Sequence, residues 1–367
     1  MTRSFTTAIS WGALVSVVSL VFFLAACGTT APDPNPPGDQ PHGGTGEFRA
    51  LTNTETGISG TAGLALAARK VAIESAAALP DGPLFYGLGV LLEEPPDEDP
   101  ATPEGDVDWM GYEPRIIRRA ASREGEDLGF IFPGVEVLAA TEAWEMGEVF
   151  SPWPVLLSDG RLRLYYASPG GIGVAEAPSV EGTLVRVGGG PIVATVGDEM
   201  PRRPTVVQVP GGDSFLLYYE IGGHLVGATS TDGLSFTTFA DPLDPGAFVP
   251  RDDDDPAEVA LGGPGAIRVD TGVGRQLIRL YFESRRADGT RLLMMSGSTD
   301  GMTFERYEIP VVGDEDRRDP APIQLDLRTT LMYLHGPRQV SSRQGRGILG
   351  TVAPRSVELV AEPDAGI

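Results

Sequence analysis

Pro154-Val-Leu-Leu157, Leu162-Arg-Leu-Tyr-Tyr166 and Gly171-Ile-Gly-Val-Ala175 are restated further along as Pro204-Thr-Val-Val207, Phe215-Leu-Leu-Tyr-Tyr219 and Leu225-Val-Gly-Ala-Thr229. Each set reads as three short apolar strands: one opening on proline, one ending in two tyrosines, one rich in Gly, Val and Ala. A unit of this kind cannot bury both of its faces alone, so its copies must stack. Three weaker copies extend the series. Pro114-Arg-Ile-Ile117 leads to Leu128–Phe132, Val135–Ala139 and Met146–Phe150; Ala266–Val269 leads to Leu277–Phe282 and Leu292–Met295; Pro322–Leu325 leads to Leu331–Leu334 and Gly347–Gly350. The head prolines Pro114, Pro154, Pro204, Pro264 and Pro322 stand about 40 to 60 residues apart, the length of a four-stranded antiparallel sheet with its turns.

The turns agree. Asp159-Gly160 and Asp288-Gly289 carry the chemistry of tight hairpins, where positive φ is required. Ser230-Thr-Asp-Gly-Leu-Ser-Phe236 and Ser298-Thr-Asp-Gly-Met-Thr-Phe304 recur between third and fourth strands, which predicts a turn with an aromatic plugging the space between neighbouring sheets. Helical patterning is nearly absent after residue 110. The expected fold is therefore all-β, a five-bladed propeller of four-stranded blades, with a β-sandwich as the alternative.

The N-terminal stretch reads as an address. Arg3 supplies a positive start, Ala13 to Phe23 is a short uncharged apolar run, and Leu24-Ala25-Ala26 places small residues before Cys27. This pattern predicts a bacterial lipoprotein signal over 1–26, with Cys27 lipidated and holding the protein to the membrane. A bilayer-spanning helix needs roughly 20 apolar residues, more than this run provides. At about 0.8 kcal/mol per buried methylene, several acyl chains on one cysteine anchor almost permanently. Gly28 after the cysteine fits outer-membrane sorting within the cell envelope. Residues 27–46, dense in Pro, Gly, Asp and Thr, read as a disordered tether. Residues 47–107 form an extension of open structure: Gly63 to Leu79 fits a helix (Leu64, Ala68, Val71 and Ser75 on one stripe) or a strand, Leu84 to Leu92 fits a strand, and Glu93 to Asp108 an acidic loop. The propeller is expected over 108–362.

Cys27 is the sole cysteine, so the folded part has no disulfide, thiolate metal site or cysteine nucleophile. A formal charge of −23 argues against nucleic acid as a partner. No His-x-x-x-His or Ser-His-Asp spacing appears, so zinc or serine hydrolysis has no support. No cofactor is expected. Asp252 to Asp255 offers oxygens for calcium, but like charges in a block more often form a solvated loop.

The polar-Pro strand heads, the Leu-Tyr-Tyr second strands and the Ser-x-Asp-Gly turns together resemble the five-bladed propeller glycosidases, over about residues 108 to 362. These are the arabinanase and β-xylosidase group and the related invertase and levansucrase group. The resemblance implies a site on the axis, at the head of the first strands, where carboxyl groups flank a sugar bond. Such groups stand about 5–5.5 Å apart for retention, or about 6.5–9.5 Å for inversion. Asp108-Trp109-Met110-Gly111-Tyr112-Glu113-Pro114 looks like a stretched Trp-Met-Asn-Asp-Pro, so Glu113 or Asp108 takes the carboxylate role. Arg318-Asp319-Pro320 is similar to Arg-Asp-Pro and supplies Asp319. Gly262-Gly263-Pro264 has the shape of Glu-Gly-Pro with glycine in place of the acid; Ser151-Pro152-Trp153-Pro154 and Arg202-Arg203-Pro204 also lack it.

Propeller geometry gathers strand heads whatever their ancestry. Glu113, Arg202, Arg203, Asp319 and one of Asp252 to Glu258 are expected at one mouth, with Arg318, Trp109 and Trp153 beside them. Guanidiniums, carboxylates and indole faces suit polyhydroxylated ligands. The same arginines equally serve as neutralising filler of a narrow channel. The sequence thus points to an envelope lipoprotein whose axial face binds a glycan or an envelope protein without catalysis. The alternatives are a glycoside hydrolase using Glu113, Asp319 and Asp108, and a pure scaffold.

Overall fold

The computed structural model describes residues 48–51, 54, 64–66, 72–80, 82–91, 112–123, 128–131, 133–209, 214–239, 249, 255–270, 276–307, 310–311, 318–326, 329–340 and 343–354. The chain divides into Met1–Gly38 and Asp39–Ile367, and all described residues lie in the second unit. The signal sequence, Cys27, the tether, Asp108, Trp109 and Asp252–Asp254 fall outside them.

The protein is a β-propeller of antiparallel sheets. Strands β1 (Arg49–Ala50) and β2 (Leu64–Leu66) come first in the chain and join the last sheet. The first complete sheet is β3 (Ala72–Ala78), β4 (Leu84–Leu91), β5 (Tyr112–Ala120) and β6 (Val135–Ala139). The second holds β7 (Phe150–Leu156), β8 (Leu162–Ser168) and β9 (Gly171–Ala177), with β10 (Val185–Arg186) and β11 (Val193–Ala194) both on β9. The third is β12 (Arg202–Val209), β13 (Ser214–Ile221), β14 (His224–Ser230) and β15 (Thr237–Thr238). The fourth is β16 (Glu258–Asp270), β17 (Gln276–Arg286), β18 (Arg291–Ser298) and β19 (Glu305–Arg306). The fifth runs β20 (Arg318–Asp326), β21 (Thr329–Val340), β22 (Arg343–Pro354), then β1, with β2 also on β22.

The first strands contact one another in a closed cycle: β3 to β7, β7 to β12, β12 to β16, β16 to β20, and β20 back to β3. That cycle is the hub. The ring is tied shut from both ends of the chain, because Arg49 pairs with Val352 on the fifth sheet. Gly265 shows how tightly the hub packs: a Cβ there would stand 1.9 Å from the carbonyl oxygen of Pro320 on the next inner strand.

The double tyrosine has a packing explanation. A second strand is covered by the neighbouring sheet on each side, so both of its faces are buried and alternation disappears. Tyr165 packs with Val206, Leu217 and Phe215 of the third sheet, whereas Tyr166 packs with Phe85 and Ile117 of the first. Tyr218 packs toward Leu280 and Phe282 of the fourth sheet, Tyr219 toward Ile172 and Val174 of the second.

The recurring turns join sheet to sheet as expected. Ser230 Oγ accepts from Gly233 N at 2.9 Å, and Asp232 Oδ1 accepts from the amides of Leu234 and Ser235 at 2.7 Å. These amides hold the Asp232 carboxyl well below the usual range. The turn so formed presents the Gly233 carbonyl to Tyr165 Oη at 2.8 Å, and Phe236 meets the Tyr165 ring edge-on at 6.3 Å. One sheet later, Gly301 accepts from Tyr218 Oη at 2.8 Å and Phe304 meets Tyr218 at 5.6 Å.

The start of the repeat series needs correction. Tyr112–Ala120, read as a first strand on the strength of Pro114, is the third strand of its sheet, paired to β4. The first two strands come from residues 72–91, inside the stretch read as an extension, and Gly63 to Leu79 contributes strands rather than a helix. Of the stretch Leu128–Phe132, the described residues Leu128–Ile131 form an isolated bridge, Phe130 to Ser122, in place of the expected strand. The physical reason is that β3 carries Ser75-Ala76 where the other inner strands carry a residue and proline, so the marker used to count sheets is missing there.

Candidate functional site

All five inner strands break their pairing register at one equivalent point. The irregularities fall between Glu74 and Ala76, Phe150 and Trp153, Arg202 and Thr205, Gly262 and Gly265, and Arg318 and Ala321. Such bulges re-aim a side chain out of the ladder. The residues at the break are Ser75, Ser151, Arg203, Gly263 and Asp319, and a proline follows each of the last four. Those four have φ of 49°, 53°, 53° and 55°. Glycine adopts this left-handed backbone freely, but each non-glycine residue there costs about 1–2 kcal/mol. Ser151, Arg203 and Asp319 are thus held in strain at one level of the hub, and strained residues of this kind cluster at functional sites.

They line one small open depression, whose walls also include Ser75, Trp153 and Pro264. Ser75 Oγ donates to Ser151 Oγ at 3.1 Å, and Trp153 Nε1 is fixed by the Val206 carbonyl at 3.0 Å. This half of the depression is uncharged. Ser151→Gly is expected to leave stability unchanged or raise it by up to about 1 kcal/mol, since relief of the left-handed strain offsets the lost hydroxyl. Urea unfolding checks this; a loss above 1 kcal/mol would mean that the serine pair holds the hub.

The opposite half is ionic. Arg203 Nη1 donates to Glu220 Oε2 at 2.8 Å and lies 3.7 Å from Glu283 Oε1, while its Nε pairs with Asp319 Oδ1. Behind it, Arg285 donates to both Glu220 oxygens at 2.8 and 3.0 Å and to Glu283 Oε2 at 3.2 Å. Arg291 reaches Glu283 Oε2 at 2.9 Å. The two glutamates occupy matching places, opposite Arg202 and Gly262 on their second strands. Each also accepts the amide of the break residue on the next sheet: Gly263 N to Glu220 at 2.9 Å, Asp319 N to Glu283 at 3.0 Å. The glutamates therefore clamp the strained backbone as well as the guanidiniums. Gly263 leaves room for this, because a Cβ there would come within 2.4 Å of Glu283 Oε1.

These surroundings split the carboxyl groups. Burial opposes ionisation of Glu283 and Glu220, but Arg203 and Arg285 outweigh it, and both titrate below the usual range. Asp319 goes the other way: burial raises it, Arg203 opposes, and the Glu283 and Glu220 charges push it further up.

Of the residues expected at the mouth, the fold brings together Arg203, Asp319 and Trp153. Arg202 is exposed and Arg318 half-buried; neither lines the depression. Glu258 is a correction. It opens β16 away from the depression and is taken up by Arg306, at 2.9 and 2.6 Å, and by Ser284. Glu113 is a second correction, since it lies on β5, opposite Val90, two strands out from the hub. Sequence reasoning missed Glu220, Glu283 and Arg285. The signal was there: both glutamates directly follow the aromatic pair, Tyr218-Tyr219-Glu220 and Tyr281-Phe282-Glu283. Among the described residues no group of three or more His, Cys, Asp or Glu is arranged to hold a metal ion.

No family profile matches the chain, and no curated protein matches it. Solved structures do. The endo-arabinase from Bacteroides thetaiotaomicron VPI-5482 superposes with a TM-score of 0.52 at 15% identity, over 82% of this chain and 99% of that one. The catalytic domain of the Coprinopsis cinerea GH62 α-L-arabinofuranosidase gives 0.50 at 14% identity, over 84% of this chain and 97% of that one. The chain shares the propeller fold of these glycoside hydrolases.

Proposed function

We propose that the protein is a glycan-binding propeller that holds a sugar in its axial depression without hydrolysing it. The observation that carries this reading is the state of the carboxylates. Hydrolysis of a sugar bond takes two carboxyl groups facing each other across the substrate. Among the described residues Asp319 is the one carboxyl group that lines the depression, and it is paired with Arg203; Glu220 and Glu283 sit behind, each already accepting guanidinium and amide donors. The depression is lined by an indole, two hydroxyls, a guanidinium and a carboxyl group, residue types suited to stacking on and hydrogen-bonding a sugar ring. The resemblance to an endo-arabinase and an α-L-arabinofuranosidase supports a carbohydrate over other small molecules. It remains an analogy of fold.

A second reading, glycoside hydrolysis, has one observation in its favour. The environment pushes Asp319 up and Glu283 down, and such a split is how paired carboxyls divide acid and base roles. Two measurements separate the readings. On a glycan array the protein is expected to retain arabinose- or xylose-containing oligosaccharides, and Trp153→Ala to lose them. On a panel of aryl glycosides it is expected to release nothing. Turnover that disappears in Asp319→Asn would overturn the binding reading in favour of hydrolysis.

The setting belongs to the same proposal: Cys27 carries lipid and residues 28–46 tether the propeller to the bacterial envelope. Detergent phase partition of the native protein tests it, with Cys27→Ser expected to move from the detergent to the aqueous phase.

A further inference from the structure

Basic residues are unevenly placed along the chain. Residues 327–357 hold five arginines (Arg328, Arg338, Arg343, Arg346 and Arg355) and no Asp or Glu, in a chain of net charge −23. The middle three lie on one feature of the fifth sheet. Strands β21 and β22 pair rung for rung, from Thr329 with Pro354 out to Val340 with Arg343. Their neighbours stop short. β20 leaves β21 at the Arg318–His335 pair, and β1 and β2 meet β22 from Ile348 to Val352. Among the described residues, 336–340 and 343–347 therefore form a two-stranded ribbon, about 17 Å long, with no third strand on either edge. Arg318 is the neighbour of Asp319, so the ribbon projects past the strand heads on the side of the axial depression.

From sheet to tip its rungs read Gly336–Gly347, Pro337–Arg346, Arg338–Gly345, Gln339–Gln344 and Val340–Arg343. A two-stranded ribbon is marginal in water, and glycine within a strand weakens it while allowing another chain to approach closely. Charged residues and proline also keep stray strands off an open edge. Charge of either sign does that, yet a chain with 51 acidic and 28 basic residues places only arginine here.

We infer that the ribbon is a docking strip for an acidic polysaccharide, a polymer with carboxylates on its sugars that pair with Arg338, Arg343 and Arg346. Guanidinium and carboxylate match as planar forks. The inference rests on the glycan reading above in taking the partner to be a polysaccharide, but it uses no residue of the depression. Two other polyanions fit less well. Duplex nucleic acid carries a charge about every 1.7 Å, which a body of net charge −23 repels. A lipid surface is disfavoured by direction: β1 runs from Arg49, opposite Val352, toward the ribbon, so the chain enters this sheet roughly 30 Å from Arg343.

The test measures binding of the full-length protein, in detergent, to immobilised polygalacturonate and to the same polymer fully methyl-esterified, which keeps the backbone and removes the charge. Wild type is expected to hold the charged form about tenfold more tightly, the sum of three exposed ion pairs. Arg338→Gln, Arg343→Gln and Arg346→Gln together are expected to abolish that preference, with the thermal transition unchanged. The three corresponding lysine substitutions should keep most of it, and Trp153→Ala all of it. Equal binding of the esterified polymer by wild type, or undiminished preference in the glutamine variant, would overturn the inference and leave the glycan reading of the depression standing. Duplex DNA or phosphatidylglycerol vesicles held through these arginines, with polygalacturonate not held, would overturn it in favour of that partner. Polygalacturonate held through the ribbon, with no arabinose or xylose oligosaccharide retained, would overturn the reading of the depression and support this one.

Discussion

Arg203→Met destabilises the protein by about 3–5 kcal/mol at neutral pH, as expected when one partner of a buried ionic cluster is removed and the other charges stay. The loss should fall unevenly. Glu220 keeps Arg285, and Glu283 keeps Arg285 and Arg291. Of these arginines Arg203 is the one within ion-pair distance of Asp319, with Arg285 acting on it only from further off, so Asp319 is the carboxyl most exposed to the substitution. The pH dependence identifies it. The Asp319 carboxyl already sits above its ordinary value because burial disfavours its charge. A carboxyl raised in the folded state favours folding below its unfolded value of 3.8, and that benefit disappears as the pH rises through the folded value. Removing Arg203 raises it further. The gap between variant and wild type should therefore be smaller at pH 5 than at pH 7, because acidification favours the protonated form of Asp319 and relieves the stranded charge. Urea unfolding at the two pH values measures it. An equal loss at both would mean that methionine simply packs badly in the hub and that the Arg203–Asp319 pair is not what matters.

The residues of the hub are unequally legible in the sequence. The repeat was legible where each strand keeps its marker: Pro204 and Pro264 stand immediately after the break residues Arg203 and Gly263. In the second and fifth sheets the repeat pattern points to Pro154 and Pro322 as head prolines, whereas the break is followed by Pro152 and Pro320. A slip of two keeps every side chain on its face, so it did not disturb the reading of the core. It did hide Ser151. The first sheet was opaque for a different reason: Ser75-Ala76 within an alanine-rich run carries neither proline nor alternation, and its strand identity comes wholly from packing against β4 and the hub. Glu113 was drawn to the axis by the Pro114 after it, a local signal that long-range pairing overrides. Arg203 and Asp319 were found because break residues on different sheets meet through topology alone. Glu220 and Glu283 lie outside that signal, because the head prolines mark first strands while the clamps come from the second.

A second ionic site away from the hub should matter as much for the fold. Glu145 lies in a 3-10 turn, Ala143–Glu145, between the first and second sheets, with its side chain fully buried. Its Oε1 accepts from Tyr166 Oη and from Arg186 Nε, both at 2.7 Å. Its Oε2 accepts from Arg186 Nη2 at 2.8 Å and from the amides of Thr141 and Glu142 at 2.8 and 3.0 Å. Five donors on one carboxylate tie the turn to the strands β8 and β10. Glu145→Ala strips all five and leaves the Arg186 charge half-buried without its partner, for an expected loss of about 3–5 kcal/mol. Glu145→Gln keeps an acceptor for some of the donors and should cost less. Here the linkage has the opposite sign to Asp319. Burial opposes the charge of Glu145, but Arg186, the turn amides and Tyr166 together hold its carboxyl below the ordinary 4.5. A depressed carboxyl stabilises the fold above its unfolded value, and that contribution is lost as the pH falls through the folded one. Wild type should therefore lose stability below about pH 4.5, and Glu145→Gln should lose less over the same range, because it has no proton to take up there. Thermal unfolding from pH 6 down to pH 3 decides it: parallel curves for the two proteins would place acid sensitivity in other carboxylates and leave Glu145 as a packing residue alone.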